Sequence, residues 1–133
     1  MNAAVLPDPP AFCFGPITRQ DLVRYAGAAG DFNPLHYDDA FARSAGLPGV
    51  MAHGMFSAGL LGSFLVAWVE DRRVRRFRLR FKSPVWPGDM LQATGSVVRS
   101  YQVDGGRVAE LVLKLGRQDG SEVVTAMAEV ECA

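Results

Sequence analysis

Residues 30–36 read GDFNPLH and combine an acid, an amide and an imidazole, which are groups that acid–base chemistry uses. Asp31 and His36 are separated by Pro34, which keeps Asn33 out of helical geometry and predicts an ordered turn between two helices. Such a turn can point a carboxylate and an imidazole to one side, where they can share a water molecule. On residue types alone, a purely structural turn competes with this interpretation, with Asp31 as a cap, Asn33 in an Asx-turn and His36 as a packed side chain.

A second group suited to the same chemistry is the backbone at the start of a long apolar segment. Residues 54–69 are apolar or small at nearly every position, which predicts a helix buried on most of its circumference. The first N–H groups of a helix lack helical partners and lie at the positive end of its dipole, so the Gly54 N–H is a candidate oxyanion donor. We interpret His53 as a histidine that bonds loop backbone beside the helix start, and we leave it out of the catalytic set.

Short helices, followed by strands, are predicted to position these groups. Thr18 and Asp21 predict the start of a helix over 19–28, and Asp38 or Asp39 predicts the start of a second helix that ends at Ser44. Beyond the long helix the apolar pattern changes to period two, which indicates strands. The predicted strands cover residues 12–14, 76–82, 90–101, 107–117 and 122–131, the last three joined by hairpin turns. We therefore expect an α+β fold in which an antiparallel sheet wraps around the long central helix.

Composition limits the classes of partner and the number of domains. The 133 residues fit a single domain over 1–133, and 14 basic residues balance 14 acidic ones, so no overall field attracts nucleic acid. Cys13 and Cys132 lie far apart near the chain ends, which favours a reducing cytoplasm over a disulfide framework. The N-terminus has no secretory signal pattern, and the longest apolar run is too short to cross a bilayer. We expect a cytoplasmic protein with no membrane or nucleic-acid partner.

Three segments, in order, resemble the MaoC-like family of (R)-specific enoyl hydratases and 3-hydroxyacyl dehydratases, which have the hot-dog fold. YAGAAGDFNPLHYDDAFA resembles the hydratase signature, MAHGMFSAGLLG the start of the central helix, and FKSPVWPGD the following strand and turn. The resemblance implies that Asp31 and His36 are the catalytic pair, that Asn33 places the loop, and that the Gly54 N–H holds the thioester oxygen. It also implies a hydro-lyase that hydrates trans-2-enoyl thioesters, or dehydrates (3R)-hydroxyacyl thioesters, without a metal or redox cofactor.

The resemblance also suggests partners and leaves alternatives open. The substrate would be an acyl-CoA or an acyl-ACP, where ACP is an acyl carrier protein. The chain would form a homodimer with a continuous sheet, or a heterodimer as the catalytic subunit with a related hot-dog chain. A non-catalytic acyl-binding module is the remaining alternative.

The basic strand and several aromatic residues each have two interpretations. The basic strand RRVRRFRLRFK would contact carrier phosphates through Arg76 and Arg78, or it is a solvated outer face. Tyr25, Tyr37 and Trp68 would line an acyl pocket, or they are core residues.

Overall fold

The computed structural model describes residues 6–132 and contains every element that the sequence predicts. The order is β1 (Phe12–Phe14), α1 (Arg19–Ala29), a 3-10 turn (Pro34–His36), α2 (Asp39–Ser44), α3 (Gly54–Val69), β2 (Val74–Phe81), β3 (Leu91–Val103), β4 (Gly106–Arg117) and β5 (Glu122–Cys132). The α3 bounds are those predicted, and β3 runs beyond the predicted end because Val103 still pairs with Gly106 before the hairpin turn. The predicted α+β arrangement is therefore confirmed.

Local capping fixes the two short helices on either side of the GDFNPLH turn. The Thr18 hydroxyl accepts the Asp21 N–H at 3.1 Å, and the Asp21 carboxylate accepts the Thr18 N–H at 2.8 Å, which forms the predicted capping box. Helix α1 ends at Gly30, whose φ of 69° is left-handed and favours glycine. The Asp38 carboxylate then accepts the Phe41 N–H and starts α2. The turn between Gly30 and Asp38 is thus anchored at both ends.

The sheet has the strand order β1-β3-β4-β5-β2, with every neighbouring pair antiparallel, and α3 packs across one of its faces. Leu61, Phe64 and Trp68 of α3 are at most 1% exposed. A Cβ atom on Gly95 of β3 would lie 2.5 Å from the Trp68 ring, so the glycine makes room for that side chain. The Trp68 Nε1–H donates to the Pro7 carbonyl at 2.8 Å. Trp68 is therefore a core residue, and it does not line an acyl pocket.

One side of α3 and the neighbouring strand β2 remain uncovered within residues 6–132. Strand β2 pairs only with β5, which leaves its other edge free. Val66 of α3, which borders a cavity with Val74 and Phe77 of β2, is 61% exposed. Met55 of α3 is also 61% exposed, and Phe81 of β2 is 54% exposed. A free strand edge beside exposed apolar side chains is a common feature of surfaces that pair with another chain.

Among the described helices, none has both the length and the apolar character needed to cross a membrane.

Candidate active site

The GDFNPLH turn has the structural features that its sequence predicts. The Asn33 side-chain oxygen accepts the Leu35 N–H at 3.0 Å, which is the expected Asx-turn and starts the 3-10 turn at Pro34. His36 closes this turn and is only 9% exposed. Asn33 therefore shapes the loop backbone that delivers the imidazole of His36 to a largely buried position.

Backbone carbonyls select the tautomer of the neutral form of the two histidines in this region. The His36 Nδ1 atom lies 2.6 Å from the Met51 carbonyl oxygen, and the His53 Nε2 atom lies 3.0 Å from the Asp31 carbonyl oxygen. Because a carbonyl only accepts hydrogen bonds, each of these ring nitrogens must carry the proton. Neutral His36 therefore presents an unprotonated Nε2 atom, which is the form that a general base needs.

His53 contacts both of the residues predicted to be the catalytic pair. Its ring stacks on the His36 ring with centroids 3.5 Å apart and planes at 20°. The ring of Tyr25 also lies against His53, at 4.8 Å, so His53 is only 3% exposed. The predicted backbone contact of His53 is present, but its stacking on His36 was missed. The sequence signal was its position beside Gly54, which alone does not show what the ring contacts.

The side chains of Asp31, His36 and His53 form one compact cluster, which we call the Asp-His-His cluster. One carboxylate oxygen and one nitrogen from each ring all lie within 4.8 Å of one another. The Asp31 carboxylate is 53% exposed, accepts the Asn33 N–H at 3.3 Å and lies 4.0 Å from His53 Nε2. Asp31 and His36 share no direct hydrogen bond, and a separation of this kind suits a water held between the two groups.

The same three residues have the chemical types that bind transition metals, but their geometry favours acid–base chemistry. Imidazole nitrogens bind a metal through lone pairs that lie in the ring plane. The His36 and His53 planes are nearly parallel, so these lone pairs run side by side and do not converge on one ion.

The candidate oxyanion donor lies directly after His53 in the chain. Gly54 begins α3, and His53 provides no side-chain cap. Within residues 6–132 no acceptor takes the Gly54 N–H, so it is free to bind a substrate oxygen. A Cβ atom at position 54 would lie 3.3 Å from the Phe81 ring, so a larger residue would press on that side chain.

A cavity of about 310 Å³ opens beside this helix start and could hold an acyl chain. Its lining is mainly apolar and comprises Leu47, Met51, Ala52, His53, Gly54, Ser57, Phe81, Lys82, Ser83, Pro84, Val85 and Val123. The cavity touches His53 and Gly54 but not Asp31 or His36, so it reaches one end of the cluster. Tyr37 is 50% exposed and Tyr25 packs on His53, so neither lines this cavity.

A buried segment between α2 and α3 holds the Met51 carbonyl in position. The Met51 N–H donates to the Leu35 carbonyl, and the Ala52 N–H donates to the Val85 carbonyl. One residue earlier, the Val50 N–H donates to the Asp39 carboxylate. That hydrogen bond is the main reason why the pKa of the Asp39 carboxyl lies below its usual value. The second reason is the hydrogen bond that the Arg19 guanidinium donates to the same carboxylate at 2.7 Å.

Arg76 and Arg78, the predicted phosphate contacts, are not part of the Asp-His-His cluster. Both are exposed residues of β2. The Arg76 guanidinium lies 3.2 Å from the Glu129 carboxylate and is therefore paired within the sheet, whereas Arg78 borders a separate cavity on the sheet. Their role in binding phosphate stays a prediction.

A central helix packed on a five-stranded antiparallel sheet, with the Asp-His-His cluster at the helix start, is the architecture of a hot-dog-fold protein. The family profile described as "MaoC like domain" matches residues 9–115. The chain therefore belongs to the MaoC-like dehydratase family.

Solved structures and curated relatives agree with this family. An (R)-hydratase from A. caviae involved in PHA biosynthesis has a TM-score of 0.80 and 27% identity, with 98% of this chain and 100% of that one covered. A mitochondrial 3-hydroxyacyl-[acyl-carrier-protein] dehydratase from Solanum lycopersicum is 31% identical over 78% of this chain and 63% of its own length. The fatty acid synthase beta subunit of Saccharomyces cerevisiae is 32% identical over 80% of this chain, which spans only 5% of that subunit.

Proposed function

We propose that the protein is an (R)-specific hydro-lyase that hydrates trans-2-enoyl thioesters and dehydrates (3R)-hydroxyacyl thioesters. The observation that carries the proposal is the Asp-His-His cluster, which brings the His36 ring, with its Nδ1 atom bonded to the Met51 carbonyl, and the Asp31 carboxylate together. The unpaired Gly54 N–H follows the cluster directly and supplies a donor for a thioester oxygen. The named hydratase and dehydratase relatives support this reaction class.

In the hydration direction, a water molecule is held between the Asp31 carboxylate and His36 Nε2. The pair takes one proton from this water, and the remaining hydroxide adds to C3 of the enoyl chain. Negative charge then develops on the thioester oxygen and is stabilised by the Gly54 N–H and the positive end of α3. The proton returns from the same pair to C2, so the elements of one water are added. Dehydration follows the same steps in reverse.

His53 takes part in this proposal as a positioning residue. Its Nε2–H holds the Asp31 carbonyl, and its ring supports one face of His36. A single buried side chain thereby links the acid to the base, which fixes their separation before the substrate binds.

The active form is proposed to be a dimer, either of this chain or with a related hot-dog subunit. The free edge of β2 and the exposed Met55, Val66 and Phe81 form the surface for the second chain. Because Phe81 also lines the cavity beside Gly54, the second chain would close that cavity. Size-exclusion chromatography with light scattering tests this, and monomer mass at micromolar concentration would contradict it.

The reaction is tested by following the loss of conjugated enoyl absorbance with crotonyl-CoA. Asp31→Asn and His36→Ala should each lower kcat by about 100-fold or more, because each removes one member of the acid–base pair. Asp104→Asn, at the exposed tip of the β3–β4 turn, is the matched control and should keep wild-type kcat. Full activity in both cluster variants would place the chemistry elsewhere, and a wild-type chain that is active only with a related subunit would identify the heterodimer.

A further inference from the structure

The outer face of the sheet, opposite α3, carries a group of basic residues beside a large shallow cavity. We call this group, Arg78, Arg80, Lys82 and Lys114, the basic face. All four residues are exposed. They border a cavity of about 800 Å³, a size within the range of small-ligand sites.

The strand register places the basic face as a regular array with hydroxyl groups between the charges. Thr94 pairs with Lys114, Lys114 with Thr125, and Thr125 with Arg80, so these residues form one row across four strands. Neighbouring strands are about 4.8 Å apart, which puts the backbones of Lys114 and Arg80 roughly 10 Å from each other. Arg78 and Lys82 flank this row along β2, and Ser96 adds a further hydroxyl.

The charges of the basic face are unpaired, unlike most arginines on the adjoining part of the sheet. Within residues 6–132, no carboxylate lies within 4.0 Å of any of its cations. By contrast, Arg73 and Arg75 both lie within 4.0 Å of Glu131, and Arg76 lies 3.2 Å from Glu129. Among residues 6–132, Glu122 is the one acidic residue that borders the cavity of the basic face. An anionic ligand would therefore meet cations that need not give up an existing ion pair.

Lys82 connects the basic face with the candidate active site. It borders both the 800 Å³ cavity of the basic face and the 310 Å³ cavity beside Gly54. A ligand with a charged end and an acyl end can therefore extend from one cavity to the other around the end of β2.

We propose that the basic face binds the phosphate groups of coenzyme A when the acyl group of acyl-CoA occupies the cavity beside Gly54. This inference rests on the proposed function and names the carrier of its substrate. Arginine, lysine and hydroxyl side chains at several separated positions suit a ligand with more than one phosphate. Arg76 lies 3.2 Å from Glu129 and does not border this cavity, so it is not included in the proposed site.

Two thioesters that differ only in the carrier provide the test. Crotonyl-CoA carries the phosphates, whereas the crotonyl thioester of N-acetylcysteamine lacks them. In the variant Arg80→Gln/Lys114→Gln, we expect the ratio of kcat/KM for crotonyl-CoA to kcat/KM for the truncated thioester to fall about tenfold at low salt. The control variant Arg73→Gln/Arg75→Gln also removes two positive charges, but at the opposite end of β2. It should leave the ratio of the two kcat/KM values unchanged.

Three results separate this inference from its alternatives. An unchanged ratio in Arg80→Gln/Lys114→Gln overturns it. A loss seen with crotonyl-loaded acyl carrier protein but not with crotonyl-CoA also overturns it and assigns the face to a protein carrier. If the wild-type chain turns over neither thioester, alone or with a related hot-dog subunit, the proposed function fails, and calorimetry with coenzyme A decides this site alone. About tenfold weaker binding in the variant supports the site, and equal or undetectable binding in both proteins overturns it.

Discussion

Replacement of His53 tests whether this residue positions the catalytic pair or transfers protons itself. His53→Phe keeps a ring to stack on His36 but removes the Nε2–H that holds the Asp31 carbonyl at 3.0 Å. His53→Gln keeps a donor at a similar distance from the backbone but removes the ring. The lost hydrogen bond contributes about 1 kcal/mol, and the resulting displacement of Asp31 would add to that cost, so we expect kcat to fall about 10- to 100-fold in the Phe variant. KM should change little.

Steady-state kinetics with crotonyl-CoA, together with thermal melting of both variants, decide the result. In the Gln variant, kcat should stay within about tenfold of the wild-type value because the Asp31 carbonyl keeps its donor. A Phe variant with wild-type kcat would refute the positioning role. Equal and complete inactivity of both folded variants would show instead that the imidazole itself must exchange a proton.

Four further predictions concern stability and metal dependence. Gly95→Ala should lower the free energy of unfolding by about 1–3 kcal/mol, measured by urea denaturation, because its Cβ would lie 2.5 Å from the Trp68 ring; an unchanged midpoint would contradict this. Asp89→Asn should lower the free energy of unfolding by about 3 kcal/mol in the same assay, because Asp89 is only 4% exposed and its carboxylate lies 3.0 Å from the Arg117 guanidinium. Asp119→Asn, which changes an exposed partner of Arg117, is the control and should lower it far less. Because the pKa of the Asp39 carboxyl is lower in the folded protein than its ordinary value of 3.8, ionised Asp39 stabilises the fold above that pH, and this stabilisation is lost as the pH falls through the folded-state pKa. Asp39→Asn should therefore make the urea midpoint less sensitive to acid below about pH 5. Dialysis against EDTA should leave kcat unchanged, and activity restored only by added zinc would contradict acid–base chemistry without a metal.

The helices and strands could be predicted from the sequence because local signals specify each of them. Thr18 with Asp21 marks the start of α1, and the change from helical to alternating periodicity separates α3 from β2. The oxyanion candidate could be predicted for the same reason, since Gly54 lies where an apolar helix must begin. These features depend on neighbours in the sequence, which a single chain displays directly.

Contacts between distant segments could not be predicted in this way. The Met51 carbonyl that orients His36, and the stacking of His53 on His36, bring together two loops on either side of α2. Likewise, the pairing of Arg76 with Glu129 depends on the register of β2 against β5. Spacing along the chain carries no information about such registers, so the interpretation of Arg76 as a phosphate contact missed its partner.

The contact between His36 and Met51 separates two properties of the proposed active site, the orientation of its base and the size of its acyl cavity. Met51 orients His36, the base of the proposed reaction, through its backbone carbonyl, and it also borders the cavity proposed to hold the acyl chain. Every amino acid has this carbonyl, so the side chain at position 51 can be enlarged or reduced while the orientation of the base is retained. The proposed function therefore predicts that the length of acyl chain accepted and the rate of proton transfer can be varied independently at this one residue.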